Sequence, residues 1–122
     1  MTLAEADLSA LVDDWLDWSQ AAERLAVTVA KVRTMIRDHE LAAAVTEPGA
    51  GPRVPAGFID EDGFPVKGLP GLLTVLHDGG YDDREIIAWL FLEQDDLPGR
   101  PIDALRENRG TEVKRRAQAM AF

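Results

Sequence analysis

The chain has 122 residues, no cysteine and a formal net charge of −9 at pH 7. Its length suits one compact domain, or two small subdomains that share a core, and the lack of cysteine excludes disulfides and thiol chemistry. No stretch has the roughly 18 to 20 consecutive apolar residues of a membrane span, and the acidic start MTLAEADLSALVDDW lacks the basic region of a signal peptide. We therefore expect a cytoplasmic protein without membrane association.

The negative charge is unevenly distributed. Residues 1–18 contain acids and no base, and residues 60–99 are again strongly acidic. Residues 19–59 and 100–116 carry most of the 13 lysines and arginines. Because salt screens charge beyond about 8 to 10 Å, a polyanion senses the local field rather than the total charge. These two regions are therefore candidate basic patches.

The first predicted helices begin ahead of the first basic patch. Residues 3–16 carry apolar side chains at the spacing of one helical face, although the Trp15-Leu16 pair could equally form a short strand. Asp17, with a glutamine three residues later, has the spacing of a capping box. This motif predicts a helix that begins near Trp18 and ends near Ala26.

A second helix follows after a short turn. Thr28 is a natural N-cap, and Val32, Met35 and Ile36 form the apolar side of a helix that ends near His39. The opposite side carries polar residues spaced three apart, with one further arginine on the flank. These residues are Thr28, Lys31, Thr34 and Arg37, with Arg33 beside them.

After the second helix, the stretches LAAAV and RVP flank the irregular stretch TEPGAGP, which predicts two short strands around a loop. Two short helices followed by such a hairpin are typical of a winged helix-turn-helix. Arg53, the one cation of the predicted wing, follows Gly51-Pro52. We expect it at a hairpin tip that can reach a phosphate.

The second half of the chain carries sequence signals for the starts and ends of further helices. Pro70 suits the first turn of a helix that ends at Gly79-Gly80. Asp82 and the glutamate three residues later form another capping-box pattern. Two more helices are expected to begin near Pro101 and Thr111.

The second helix of the predicted helix-turn-helix has the shape and charge of a DNA-reading helix. A helix fits the major groove, which is about 12 Å wide, and its cations and hydroxyls can contact phosphates and base edges. Taken alone, the pattern is also that of an ordinary solvated face. The segment WLDWSQAAERLAVTVAKVRTMIRDHELAA, however, resembles the DNA-binding domains of excisionase and MerR-type proteins. It departs from their pattern at Val29 and Ala30, where such domains usually carry polar residues, and this predicts modest affinity.

The second half carries a longer resemblance. KGLPGLLTVLHDGGYDDREIIAWLF and GRPIDALRENRGTEVKRRAQAMAF resemble the C-terminal part of a family of small actinobacterial DNA-binding proteins. These proteins pair an N-terminal winged helix-turn-helix with a C-terminal helical domain. A shorter stretch, RPIDALRENRGTEVKRRAQ, is similar to the C-terminal part of antitoxins whose helical domain engages a toxin. The family resemblance implies DNA binding in the cytoplasm without a catalytic role.

Other chemistry finds little support in the sequence. We expect a structural role for His77, because two histidines cannot build a His-rich metal site and a helix C-terminus favours a histidine. The acidic clusters at residues 82–85 and 93–96 lack the ligand pattern of a calcium loop. We therefore expect no cofactor, no metal site and no enzymatic activity.

These patterns together predict a mainly α-helical protein. An acidic segment over residues 1–14 precedes a winged helix-turn-helix over residues 15–60 with a small two-stranded wing, and a packed helical domain covers residues 68–122. The predicted partner is double-stranded DNA, with the helix over residues 28–38 in the major groove. The predicted contacts are Thr28, Lys31, Arg33, Thr34, Arg37 and Arg53.

Within DNA binding, we expect a transcriptional regulator or a nucleoid-associated factor. The alternative is a protein-interaction module, in which the C-terminal helical domain binds a protein partner as an antitoxin or adaptor does. The sequence leaves the oligomeric state open, since no heptad-like dimerisation helix is visible. It also leaves open whether a phosphate on Thr2 or Ser9 adds charge near the DNA face.

Overall fold

The computed structural model describes residues 2–94, 97 and 99–121. The helices are α1 (Leu8–Leu11), α2 (Trp18–Leu25), α3 (Val29–Arg37), α4 (Leu69–Asp78), α5 (Asp83–Phe91), α6 (Pro101–Arg106) and α7 (Gly110–Ala121), with short 3₁₀ turns at Leu3–Glu5 and Ala56–Phe58. The strands are β1 (Trp15–Leu16) and β2 (Val54–Pro55), which form an antiparallel sheet. The predicted mainly α-helical fold with a small wing is confirmed. No helix in the described ranges is long and apolar enough to span a membrane.

Helices α2 and α3 form the helix-turn-helix. The N–H of Gln20 donates to the Asp17 carboxylate at 2.8 Å, and the Asp17 N–H donates to the Gln20 side chain at 2.9 Å, as the capping box predicts. The chain turns at Ala26, which ends α2 in the left-handed conformation with φ 56°. Thr28 then caps α3 by accepting a hydrogen bond from the backbone N–H of Lys31 at 3.1 Å.

The second arm of the wing pairs with two different segments. Strand β2 runs antiparallel to β1, with Leu16 opposite Val54, so the strand alternative for this part of the chain is the one the structure adopts. One residue before β2, Arg53 exchanges two backbone hydrogen bonds of 2.9 and 3.0 Å with Ala44. This pair closes the wing around residues 45–52.

The C-terminal helices pack on each other through leucine-rich faces. Leu73 and Leu76 of α4 are fully buried, and every residue of α5 from Ile86 to the end of the helix is buried. Helices α4 and α7 approach so closely that a Cβ added at Gly79 would lie 2.7 Å from the Cβ of Ala121. The predicted capping box at the start of α5 is present.

The N-terminal segment packs against α5 and belongs to the common core. Ala6, Leu8 and Val12 are buried. The guanidinium of Arg84, on α5, donates to the carbonyl of Ala6 at 2.7 Å and to the preceding turn at 3.3 Å. The segment therefore joins the first half of the chain to the C-terminal helices, in one cluster of buried side chains.

Two arginines of the second predicted basic patch form ion pairs and hydrogen bonds within the protein. Arg100 binds Asp103 at 3.0 Å and Asp13 at 2.9 Å. The side-chain hydrogen bond between Arg100 and Asp103 is the largest cause that raises the pKa of the arginine and lowers the pKa of the carboxyl. Arg106 donates to the carbonyl of Gly57 at 2.7 Å. Since these cations hold the two halves together, residues 100–116 do not form the open patch that the sequence suggested.

Candidate nucleic-acid interface

Helix α3 presents one apolar side to the core and one polar side to solvent. Val32 is fully buried and Met35 is 6% exposed, and both lie on the side that packs towards the core. The opposite side carries five of the six predicted contacts, which are exposed or half-exposed. They are Thr28, Lys31, Arg33, Thr34 and Arg37. The structure therefore brings these residues together on one accessible face.

The two threonine hydroxyls on this face are already used by the helix. The hydroxyl oxygen of Thr28 accepts from the N–H of Lys31, which leaves its O–H free to donate. The hydroxyl of Thr34 donates to the carbonyl of Ala30 at 3.1 Å, which leaves only its lone pairs free. Thr28 can therefore donate to a phosphate, whereas Thr34 can only accept, for example from a base amino group.

The cations of α3 are open to a ligand. The side chains of Lys31 and Arg33 make no hydrogen bond or ion pair with any residue that the structure describes. Arg37 lies 3.4 Å from the carboxylate of Asp38, and these side chains are 75% and 54% exposed. An exposed pair of this kind contributes only about 0 to 1 kcal/mol. A phosphate can therefore replace Asp38 at little cost.

A shallow groove runs along the same face. It is lined by Ala30, Arg33, Thr34 and Arg37. Val29, at the start of α3, is 39% exposed. The first turn of α3 thus offers small and apolar surface, which suits contact with a thymine methyl group better than hydrogen bonding to base edges.

Arg53 lies at the base of the wing, so its predicted position at a hairpin tip was wrong. Its backbone pairs with the first arm, and the residue is partly exposed, whereas the next residue, Val54, is fully buried. The chain turns earlier, at Glu47 to Ala50, where Gly49 adopts a φ of 82°. The tip carries the exposed carboxylate of Glu47, and the cation stands closer to the helices.

Cations on α7 differ from those on α3 in their partners. Arg115 and Arg116 both pair with Glu112, each at 3.2 Å. Lys114 of α7, like Lys31 and Arg33 of α3, has no side-chain partner within the described ranges, so α3 presents two unpaired cations there and α7 presents one.

Sequence reasoning missed the surroundings of the end of α3. His39, which follows the C-cap residue of α3, stacks on His77 of α4 with ring centroids 3.8 Å apart. His77 in turn lies 2.7 Å from a carboxylate oxygen of Asp83. No local pattern signals this cluster, because its members come from the two halves of the chain.

The capped helix pair, the exposed cationic second helix and the hairpin that pairs with the strand ahead of the first helix define a winged helix-turn-helix protein. Comparison with known proteins places the chain within this class. The family model described as "DNA-binding protein Rv2175c, wHTH domain" matches residues 5–59, and the model described as "Rv2175c C-terminal domain of unknown function" matches residues 66–121. The chain belongs to the Rv2175c family.

A characterised relative and its solved structure agree with this assignment. The DNA-binding protein Rv2175c of Mycobacterium tuberculosis (strain ATCC 25618 / H37Rv) is 44% identical over 118 residues, which cover 87% of this chain and 80% of the relative. The NMR structure of Rv2175c superimposes with a TM-score of 0.76 at 41% identity, covering 89% of this chain and 82% of that chain. The predicted membership of a family of small actinobacterial DNA-binding proteins is confirmed.

Proposed function

We propose that this protein binds double-stranded DNA with α3 in the major groove. The observation that carries the proposal is the cationic face of α3, where Lys31 and Arg33 have no partner in the described ranges and Arg37 has only a weak one. Support comes from the family, whose winged helix-turn-helix model and M. tuberculosis member both bear the name DNA-binding protein.

Each predicted contact has a role that its geometry permits. Lys31 and Arg33 bind phosphates, and Arg37 binds a phosphate or the edge of a guanine. The free O–H of Thr28 donates to a phosphate at the start of α3, and the hydroxyl oxygen of Thr34 accepts from a base amino group. Arg53, at the base of the wing, contacts the phosphate backbone of the DNA beside the groove.

The affinity that follows from these contacts is modest and depends strongly on salt. The net charge of −9 opposes approach to DNA, and Val29 and Ala30 add no polar group at the first turn of α3. Binding therefore rests mainly on a few cations that release counterions from DNA. Within this function, we propose a transcriptional regulator or a nucleoid-associated factor that works on cytoplasmic DNA without a catalytic step.

The packing contacts between segments support a separate role for each part of the chain. We propose residues 15–60 as the DNA-reading domain and residues 68–122 as the domain that supports it, with residues 1–14 as a packed segment between them. The burial of Leu8 and the bonds from Arg84 to the N-terminal segment support this arrangement.

The structure favours DNA over a protein as the main partner. An apolar docking face on the C-terminal domain would expose large hydrophobic side chains. Those that are exposed among the described residues are Val29, Val45 and Phe64, and all three lie outside residues 68–122. The protein-interaction alternative therefore has no specific observation on its side.

A pair of double variants tests the proposal. Fluorescence anisotropy of a labelled duplex at about 50 mM salt, where electrostatic binding is strong, measures affinity. The variant Lys31→Ala/Arg37→Ala is expected to bind at least about ten-fold more weakly, because it loses two phosphate contacts. The variant Lys114→Ala/Arg115→Ala removes the same residue types from the exposed side of α7 and should bind like the wild type.

Two results would contradict the proposal. One is wild-type protein that does not bind duplex DNA at this salt concentration. The other is an equal loss of affinity in both double variants, which would mean that net charge rather than α3 governs binding. Thermal melting of the variants checks that both remain folded.

A further inference from the structure

The two histidines of the chain meet where the end of α3 contacts the C-terminal helices. Their rings stack with centroids 3.8 Å apart and planes inclined by 23°. Nε2 of His77 lies 2.7 Å from Oδ1 of Asp83. One ring nitrogen of His39, one of His77 and one carboxylate oxygen of Asp83 all lie within 4.8 Å of one another. Three donor groups that bind metals are thus gathered in one place.

One atom of this cluster lacks a partner. Nδ1 of His39 is buried and has no hydrogen bond to any described residue. Buried polar atoms are normally hydrogen-bonded, and an orphaned one calls for a specific explanation such as an ion. The side chains of His77 and Asp83 are 18% and 23% exposed, so the donors are also partly shielded from water. The backbone of His39 is in the left-handed region, with φ 61°.

We propose that His39, His77 and Asp83 form a binding site for one divalent transition-metal ion of the Zn²⁺ type. Two imidazole nitrogens and a carboxylate oxygen suit Zn²⁺, whereas Mg²⁺ prefers oxygen ligands alone. Ligands at about 2.0 to 2.2 Å from a tetrahedral ion lie about 3.3 to 3.6 Å apart. Because the donor atoms lie within 4.8 Å of one another, the widest pair needs to close by at most about 1.5 Å.

Binding also requires a small change of side-chain orientation. Stacked rings cannot both point a lone pair at one ion, so one imidazole must rotate out of the stack. The direct contact between His77 and Asp83 must also open, so that the ion lies between the imidazole nitrogen and the carboxylate oxygen. The three protein ligands leave one position of a tetrahedral ion for water.

The site would tie the DNA-reading domain to the C-terminal helices. His39 comes directly after the C-cap of α3, whereas His77 lies in the last turn of α4 and Asp83 begins α5. The second oxygen of Asp83 also accepts from the N–H of Ala43 in the first arm of the wing, at 3.1 Å. A bound ion would thus fix the end of α3 and the wing against α4 and α5. None of these residues belongs to the proposed DNA contacts, so the inference stands apart from that function.

Zn²⁺ titration of untagged protein tests the site. Since His39 and His77 are the only histidines, the two imidazole signals in an NMR spectrum report on the site alone. We expect one equivalent of Zn²⁺ to shift both signals and to raise the melting temperature, and Mg²⁺ to do neither. Calorimetry should show that Asp83→Asn weakens Zn²⁺ binding at least about ten-fold, since even outer-shell partners account for that much.

The matched control is Asp78→Asn, which removes an exposed carboxylate next to His77 but outside the cluster. It should bind Zn²⁺ like the wild type. The inference is overturned if Zn²⁺ leaves the imidazole signals unchanged, or if Asp83→Asn and Asp78→Asn bind equally well. Asp83→Asn keeps an oxygen that can accept from Ala43, and metal-free melting confirms its fold. His77→Gln provides a second variant, with the same ten-fold loss expected.

Discussion

Replacing Arg37 by alanine gives a quantitative test of how α3 contacts DNA. Its side chain is 75% exposed, and its contact with Asp38 is long at 3.4 Å. Alanine favours the helix, so the variant should fold as well as the wild type. The loss of affinity can then be attributed to the missing guanidinium.

The magnitude follows from the number of phosphates that are neutralised. Each contact adds about −0.9 to the slope of log K against log salt, so the four cations Lys31, Arg33, Arg37 and Arg53 give a slope of about −3 to −4. Between 50 and 200 mM salt, the wild type should lose about 150-fold in affinity. Arg37→Ala, with a slope shallower by about 0.9, should lose only about 40-fold over the same range.

Anisotropy titrations at several salt concentrations measure these slopes. Lys114→Ala, which removes an exposed cation of α7, is the matched control and should keep the wild-type slope. If Arg37 reads a guanine instead of a phosphate, the slope stays constant and the variant loses discrimination between sequences, by about 1 to 3 kcal/mol. Arg37 makes no specific contact with DNA if Arg37→Ala changes neither the slope nor the discrimination, or if the control changes as much.

Three further predictions concern the scaffold and are read from chemical denaturation. Gly79→Ala should destabilise the fold by about 1 to 3 kcal/mol, because its Cβ would lie 2.7 Å from that of Ala121. Gly71→Ala, inside α4, has nothing within 4 Å and should stabilise by up to about 1 kcal/mol. Asp17→Ala should cost about 1 kcal/mol by removing the cap of α2, and Asp17→Asn should cost little. Asp103→Asn should cost no more than about 1 kcal/mol at pH 7, since the carboxylate is partly exposed.

The pH dependence of the Asp103→Asn variant has a defined sign. Because Arg100 holds the pKa of Asp103 below its ordinary value, the stabilisation is fully present above about pH 4. It is lost as the pH falls through the lowered pKa of the folded state. The difference in stability between wild type and variant should therefore shrink below about pH 4. A difference that stayed constant down to pH 2 would contradict the assigned role of the ion pair.

Local signals account for what could be predicted of the helix-turn-helix. A capping box joins residues three apart, so the patterns at Asp17 and Asp82 predict the starts of α2 and α5 from local sequence alone. The same holds for Thr28 and for the apolar side of α3, whose period is that of the helix itself. The exposed cationic face of α3 follows directly, because residues opposite a buried stripe must face solvent.

Contacts between distant parts of the chain account for what the sequence missed. Arg53 was expected at the tip of the hairpin, but the tip lies at Gly49. Arg53 instead pairs with Ala44, and this pairing depends on where the wing meets α3 and β1. The cations at residues 100–116 had the composition of a binding patch. Arg100 and Arg106 instead bind partners in the first half of the chain, which no local count of charges can show.

The helices, their caps, the helix-turn-helix and the outward side of α3 can be predicted from the amino-acid sequence, because each depends on neighbours within one or two turns. Tertiary packing, by contrast, determines which arginines are available to a ligand, because it brings carbonyls and carboxylates within about 3 Å of some guanidinium groups and not of others. It also decided that His39 and His77 meet. Their rings stack because the residue that follows the C-cap of α3 packs on the last turn of α4, and this long-range contact has no period or motif in the sequence.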